Sequence, residues 1–261
     1  MFKKTVIYCA SALFWGLGAF SATALTLSPA TQRIQALPGE AKTWQTRVFN
    51  EGGQAVMVTP SLSDWNYDAR GQKIFRPVGT FPFSLTPFLQ IDSNPFLLQP
   101  RQSRLVTLQL NVPAGHLGGY HGMAFFHAVP HTPNQGQNQV KMAVRLGSTI
   151  LYENPETTVM DSRITAAEVS YQKAKNAVDF ALKILNEGNT WIDASAVVAV
   201  LDGSENFVGS FKVPRQIVLR GQSTTLKKQW KHTLQPGTYQ VLITYQYRGK
   251  SVTITRPLVV S

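Results

Sequence analysis

The stretch Val48-Phe49-Asn50-Glu51-Gly52-Gly53 has the pattern of one β-strand ending, a polar turn and a second strand beginning. Asn and Gly accept the positive φ angles that such turns need, and the flanking apolar residues suit strands. The pattern returns as Ile184-Leu185-Asn186-Glu187-Gly188-Asn189, and two further pairs follow in the same order: Leu98–Leu105 with Leu219–Leu226, and Gly118-Gly119-Tyr120 with Pro236-Gly237-Thr238-Tyr239. Three repeated landmarks predict two copies of one β-sandwich plan. Two unrelated β-domains with ordinary turns are the alternative.

The chain of 261 residues can supply two immunoglobulin-sized sandwiches, each of which needs about 100 residues. Residues 1–24 combine a basic start, an apolar run and the small-residue site Ala22-Thr23-Ala24. This is the form of a cleaved secretory signal peptide, with an uncleaved membrane anchor as the alternative. We therefore expect a periplasmic protein whose mature chain has no integral membrane segment. The single cysteine, Cys9, lies inside that signal, so no disulfide is expected.

Period-two alternation of apolar residues predicts an all-β chain, with two tandem Ig-like β-sandwich domains over 25–155 and 164–261. A linker is expected within Glu153–Arg163. Tyr120 and Tyr239 follow glycine turns at strand starts, as the tyrosine corner of Greek-key sandwiches does. The stretch Asp64–Pro95 is rich in aromatic residues and prolines, which predicts either a loop held by buried rings or a ligand groove.

The formal net charge is +11, and Arg163–Ser261 carries 13 Lys/Arg against 6 Asp/Glu. Such a balance is typical of a solvated face, or of a surface for an anionic partner. Nucleic acid is not expected as a partner for an exported chain without a binding motif. No nucleotide, hydrolase or zinc-protease motif occurs. We therefore expect no enzyme activity and no cofactor. His127 and His131 could share a metal only if the loop between them turned, so no metal site is expected.

Several of these landmarks together resemble the first domain of the periplasmic pilus chaperones, the PapD-like proteins of the chaperone–usher pathway. The resemblance covers most of Leu25–Pro155 and is carried by Leu27-Ser28-Pro29 with Arg33, Val48–Asn50, Asn94–Pro100, the strand from Arg104, the Gly-Tyr corner, and Val140–Leu146 before Ile150-Leu151-Tyr152. The second domain resembles the Ig-like modules of other bacterial surface proteins.

The resemblance implies a non-enzymatic chaperone that assists the assembly of pili, fimbriae or a related surface structure by β-strand addition. Its partners would be a pilin-like protein subunit and an outer-membrane usher. The side chains implied to enter the partner are Val140, Met142, Val144 and Leu146, and Arg33 would hold the partner's terminal carboxylate. The family's second anchor, a lysine, has no match near Thr149.

Two readings of the alternating strand remain open from the sequence. If Val144 faces a partner, a charge placed there should leave the fold intact, because the opposite face would hold the core. If Val144 belongs to the core, the same charge should unfold the domain. A secreted Ig-like surface-binding or adhesion module is the alternative function.

Overall fold

The computed structural model describes residues 25–68, 70–131 and 142–261. The first sandwich pairs the sheet β1-β3-β8-β6 with the sheet β2-β10-β9-β4-β5, which β7 joins through β4. Its strands are β1 Leu25–Ser28, β2 Thr31–Gln35, β3 Ala41–Asn50, β4 Val56–Tyr67, β5 Lys73–Arg76, β6 Leu89–Ile91, β7 Phe96–Leu98, β8 Ser103–Asn111, β9 Gly119–Pro130 and β10 Val144–Glu153. The predicted signal peptide lies outside the described residues.

The second sandwich pairs the sheet β11-β12-β15 with the sheet β14-β13-β16-β17. Its strands are β11 Ser162–Gln172, β12 Ala177–Asn186, β13 Ile192–Leu201, β14 Phe207–Val218, β15 Ser223–Lys231, β16 Gly237–Tyr247 and β17 Lys250–Val260. The prediction of an all-β chain with two tandem Ig-like sandwiches is confirmed. In the described residues the helical elements are two single 3-10 turns, and no helix there is long and apolar enough to span a bilayer.

Asn50 ends β3 and is fully buried, and its side chain joins the first two landmarks of the sequence. Its Nδ2 lies 2.8 Å from the carbonyl of Gln54, 3.3 Å from that of Leu98 and 3.1 Å from that of Gln99. Its Oδ1 accepts a hydrogen bond of 3.0 Å from the N–H of Gly52. Since buried polar groups need partners, this side chain fixes the turn after β3 against the turn before β8.

Asn186 repeats the arrangement in the second sandwich. Its Nδ2 lies 2.8 Å from the carbonyl of Thr190 and within 3.1 Å of those of Val218 and Leu219, and Gly188 donates to its Oδ1 at 3.1 Å. Its backbone N–H donates to Gln222, as that of Asn50 donates to Gln102. The repeated landmarks are therefore two copies of one network.

Strand β9 is central and both of its faces are covered. Ala124, Phe126 and Ala128 belong to the core of the first sandwich. Met123 and Phe125 point the other way, into a smaller cluster that contains residues of both sandwiches: Trp65, Leu151, Trp191 and Leu219. The apolar character of both faces of β9 thus reflects contact with the second sandwich as well as with the core.

The tyrosine-corner prediction holds for one residue of two. The Tyr239 hydroxyl donates to the carbonyl of Gln235 at 2.8 Å. The Tyr120 hydroxyl makes no hydrogen bond within the described part of the chain, and its ring stacks on His116 at 4.1 Å between centroids. In the first sandwich the hydroxyl of Tyr152 donates to the carbonyl of Ala36 at 3.1 Å, a contact that is distant in sequence and so is not a tyrosine corner. A glycine turn before a tyrosine does not decide which hydroxyl reaches a carbonyl.

The predicted linker region connects β10 to β11 with an ordered backbone. Asn154 donates from its backbone N–H to Gly118, and Asp161 accepts from the N–H groups of Glu187 and Gly188. Separate folding of 25–155 and 164–261 stays a prediction, which expression of each half and measurement of its unfolding cooperativity would check.

Asn50→Ala and Asn186→Ala should each lower the free energy of unfolding by about 2–4 kcal/mol, because buried carbonyls lose their donor. Asn94→Ala is the matched control, since Asn94 is exposed on a loop. Urea unfolding of the three variants checks this, and equal midpoints for the buried and exposed positions would contradict the anchoring role.

Tyr239→Phe should cost about 0.5–1.5 kcal/mol, the net value of one lost hydrogen bond. Tyr120→Phe removes a hydroxyl that makes no such bond and should leave the unfolding midpoint in place. Thermal unfolding of both variants checks the contrast, and an equal loss in both would argue against the assignment.

Candidate partner-binding site

The β10 strand is only partly covered on the side away from β9. The β2 strand runs parallel to it and pairs with Thr149–Glu153 alone. Ahead of that segment, Ser148 donates from its hydroxyl to the carbonyl of Pro29. Along Val144–Gly147, by contrast, no described strand lies beside β10 on this side, while β9 pairs with it throughout. The open edge of β10 is therefore Val144–Gly147.

The peptide groups at this edge have a known direction. Thr149 donates its N–H to the carbonyl of Ala30, on the β2 side. Alternate residues of a strand direct their peptide groups to the same neighbour, so the N–H and C=O groups of Arg145 and Gly147 point into the open edge. No strand of the described residues pairs with these groups, and such an edge is a template for a further strand.

The predicted partner-binding side chains lie on or before this edge. Val144 and Leu146 are half-buried and pack against the core of the first sandwich. Met142 precedes the strand and is 73% exposed. Val140 lies outside the described residues. Of the two alternatives for Val144, these contacts agree with the one in which its face belongs to the core, and the opposite face carries Arg145, Gly147 and Thr149 toward a cavity.

Arg33 lies on β2 in register with Leu151, and its guanidinium reaches the second sandwich. Its Nη2 contacts both carboxylate oxygens of Asp193 at 3.0 Å, and the Arg33 side chain remains 43% exposed. The residue implied to hold a partner's carboxylate thus holds a carboxylate of its own chain. Whether Arg33 binds a partner stays a prediction.

Trp191 is buried between two arginines at the junction of the sandwiches. The guanidinium of Arg33 lies 5.3 Å and that of Arg248 4.2 Å from its ring. One nitrogen of Arg248 contacts both oxygens of Glu153, at 2.6 and 2.8 Å, and Gln35 donates to Glu153 at 2.8 Å. Ion pairs between the two halves and cation–π contacts on Trp191 therefore fix the position of β10 relative to the second sandwich.

Lys73 lies on β5 but places its ammonium beside Thr149, where β10 itself has no lysine. The β4–β5 hairpin places Tyr67 opposite Lys73, and the ammonium lies 3.5 Å from the Thr149 hydroxyl and 4.3 Å from the centre of the Trp65 ring. Burial of the ammonium lowers the pKa of Lys73. None of the ion pairs among the described residues includes Lys73.

The sequence analysis does not single out Lys73, because the prolines and aromatic residues of Asp64–Pro95 predict a loop or a groove there and give no strand register. The signal was present in Asp68-Ala69-Arg70-Gly71, since Asp and Gly at such spacing favour a tight turn. A hairpin about that turn places Lys73 and Phe75 on one face, directed toward β9 and β10. Asp64, on the preceding strand, accepts hydrogen bonds from Ser84, Thr86 and the backbone of Phe81, which hold the proline-rich loop by a buried carboxylate.

His121 lies beside this region on β9, opposite Leu151. Its Nε2 is 2.9 Å from the carbonyl of Trp65, and its ring meets that of Trp65 edge-on at 5.1 Å. Burial lowers the pKa of His121 to about 4, against smaller opposing effects of the Trp65 carbonyl and Asp64. The imidazole is therefore neutral near pH 7 and serves packing.

Searches with the whole chain found no matching family model and no matching curated protein. Among solved structures, the class 5 fimbriae chaperone CfaA is 12% identical with a TM-score of 0.47, over 91% of this chain and 100% of that one. The Salmonella enterica complex of SafA pilin with the SafB chaperone gives 12%, a TM-score of 0.48, and coverage of 93% and 99%.

The Acinetobacter baumannii complex of CsuC with the tip adhesion subunit CsuE gives 12% identity, a TM-score of 0.47, and coverage of 89% and 97%. The chain is similar to solved fimbrial chaperones. At such identities this similarity concerns the fold.

Arg248→Gln should lower the free energy of unfolding by about 3 kcal/mol, because the carboxylate of Glu153 then stays buried without its cation. Arg163→Gln breaks the exposed pair with Glu187 and should leave the unfolding midpoint almost unchanged, because solvent screens that pair. Chemical denaturation of both variants checks the difference. Equal losses of unfolding free energy in the two variants would show that the buried pair of Arg248 with Glu153 stabilises the fold no more than the exposed pair does.

Acidification from pH 7 to pH 5 should cost about 2 kcal/mol of stability through His121. The unfolded imidazole has a pKa near 6.5 and the folded one near 4, so the unfolded chain binds the extra proton in this window. His121→Gln should flatten that part of the pH profile, whereas His127→Gln, at an exposed position, should not. Unfolding measured at several pH values checks this, and an unchanged profile in His121→Gln would contradict it.

Proposed function

We propose that this protein is a periplasmic, non-enzymatic chaperone that binds a protein subunit by β-strand addition to the open edge of β10. The partner is a pilin-like subunit, and the process served is the assembly of pili, fimbriae or a related surface structure. The subunit passes to an outer-membrane usher. The pilin-like identity and the usher come from the sequence resemblance.

The single observation that carries strand addition is the open edge itself. Arg145 and Gly147 direct peptide groups away from β9 that no described strand pairs with, whereas farther along β10 pairs on both sides. An uncovered edge promotes aggregation unless it is short, charged or used. This edge is short, and it is continuous with partly exposed apolar side chains, those of Val144 and Leu146. An added strand gains main-chain hydrogen bonds, and alternate side chains set its register.

The contacts at the junction beside β10 also support strand addition. Trp191 and its two arginines hold the second sandwich against the sheet that contains β10. The edge is therefore presented by a fixed support, and little conformational entropy is lost when a partner strand pairs with it.

A photo-crosslinking amino acid at Met142 should capture pilin-like subunits in the periplasm of the source cell, identified by mass spectrometry. Thr107 is the control position, since it is exposed on β8 in the other sheet. Arg145→Pro removes a free N–H and should reduce capture at least 10-fold relative to Arg145→Ala, which keeps it. Pro is tolerated where the N–H faces outward from an edge strand.

Equal capture by Arg145→Pro and Arg145→Ala would rule out strand addition. Capture from Thr107 but not from Met142 would favour the surface-binding or adhesion module. Adjacent genes for an usher and small pilin-like chains would separate the same two functions without an experiment.

A further inference from the structure

A cavity of about 340 Å³ opens directly beside the open edge of β10. Six of its lining residues matter here: Lys73 and Phe75 from β5, Phe125 from β9, and Arg145, Gly147 and Thr149 from β10. The backbone of Arg145 and Gly147 faces the edge, while the cavity lies on the face of the sheet. A strand added to the edge would therefore pass along the rim of this cavity.

Arg145 contributes one cation. Its guanidinium lies 3.6 Å from the centre of the Phe125 ring, and Phe75 meets that ring edge-on at 4.9 Å. Stacking on an aromatic face leaves the N–H groups at the edge of a guanidinium free to bind a planar anion. Arg145 is exposed, and no ion pair among the described residues includes it.

Lys73 contributes the second cation, from β5. The ammonium has three donors, and its one hydrogen bond in the described residues goes to Thr149. The ring of Trp65 replaces water on one side of it. Two cations with free donors thus line one cavity, together with the exposed aromatic ring of Phe75.

We propose that this cavity is a specificity subsite for an acidic side chain, Asp or Glu, of the strand that adds to β10. The inference rests on the proposed strand addition. A residue paired with Gly147 directs its side chain to the face that carries Arg145 and Lys73, because directly opposed residues of two paired strands share a face. A terminal carboxylate would instead continue along the strand, in the plane of the sheet, and would not enter a cavity on the face.

Arg33 already pairs with a carboxylate of its own chain, but the two cations of the subsite do not. Arg33 binds Asp193, whereas neither Lys73 nor Arg145 binds a carboxylate among the described residues. An acidic side chain would gain two charge-assisted contacts here without displacing an internal partner. An added strand with a basic residue in this register would be repelled, so the subsite also sets register.

Binding of synthetic ten-residue peptides of alternating Val and Thr to the full chain tests this. The peptides are acetylated and amidated, and one Glu is moved through every position. We expect one register in which Glu binds at least 5-fold more tightly than Gln. The difference should disappear in Lys73→Gln and Arg145→Gln, and persist in the charge-matched controls Arg47→Gln and Lys212→Gln. A Gln peptide with a free C-terminus tests whether a terminal carboxylate, rather than a side-chain carboxylate, increases the affinity.

Equal binding of the Glu and Gln peptides in every register, with loss of binding in Arg145→Pro, would overturn the subsite and leave strand addition standing. Tighter binding only with the free C-terminus would overturn the side-chain assignment. Binding of no peptide would count against both the subsite and strand addition. Thermal unfolding of each variant, matched to the parent chain, ensures that a loss of selectivity is not a loss of fold.

Discussion

A buried carboxamide needs partners for its N–H groups and for its oxygen, and this requirement shapes the same corner of both sandwiches. Asn50 and Asn186 are each fully buried at the end of a strand, and each connects the next turn to a loop that is distant in sequence. Loss of the side chain would leave several carbonyls without a donor, which should cost about 2–4 kcal/mol in all. With no disulfide expected in the mature chain, such polar anchors and the packed cores fix the orientation of the sheets.

That corner also affects the junction. The turn after Asn186 presents Asn189, Thr190 and Trp191 to the first sandwich, where the Asn189 carbonyl accepts from the N–H of Gly119. A Cβ at Gly119 would lie 2.2 Å from the Thr190 hydroxyl oxygen, so the close approach of the two halves requires glycine there. The network that folds the second sandwich therefore also places Trp191 against the sheet that carries β10.

The sequence was sufficient for the fold because the information is local or repeated. Period-two alternation located all seven strands of the second sandwich. The Asn-Glu-Gly turn that occurs in both halves identified their common plan. The site was harder to predict because it depends on contacts that are distant in sequence. Lys73 reaches Thr149 through the register of a hairpin, and Arg33 reaches Asp193 across the two sandwiches. Alternation in β10 correctly separated Val144 from Arg145, but it could not tell which of the two faces the core.

The cations near β10 form two groups, according to whether a carboxylate of the described chain pairs with them. Arg33 and Arg248 each have a carboxylate of the chain itself and an aromatic ring, so their charge is used to hold the two sandwiches together. Lys73 and Arg145 have aromatic rings but no such carboxylate in the described residues. Arg33 binds Asp193 through Nη2 alone and its side chain is 43% exposed, so a partner's acid would share this guanidinium with Asp193. At the proposed subsite an acid would meet two cations that no carboxylate of the described residues shares, whereas the role of Arg33 toward a partner stays a prediction.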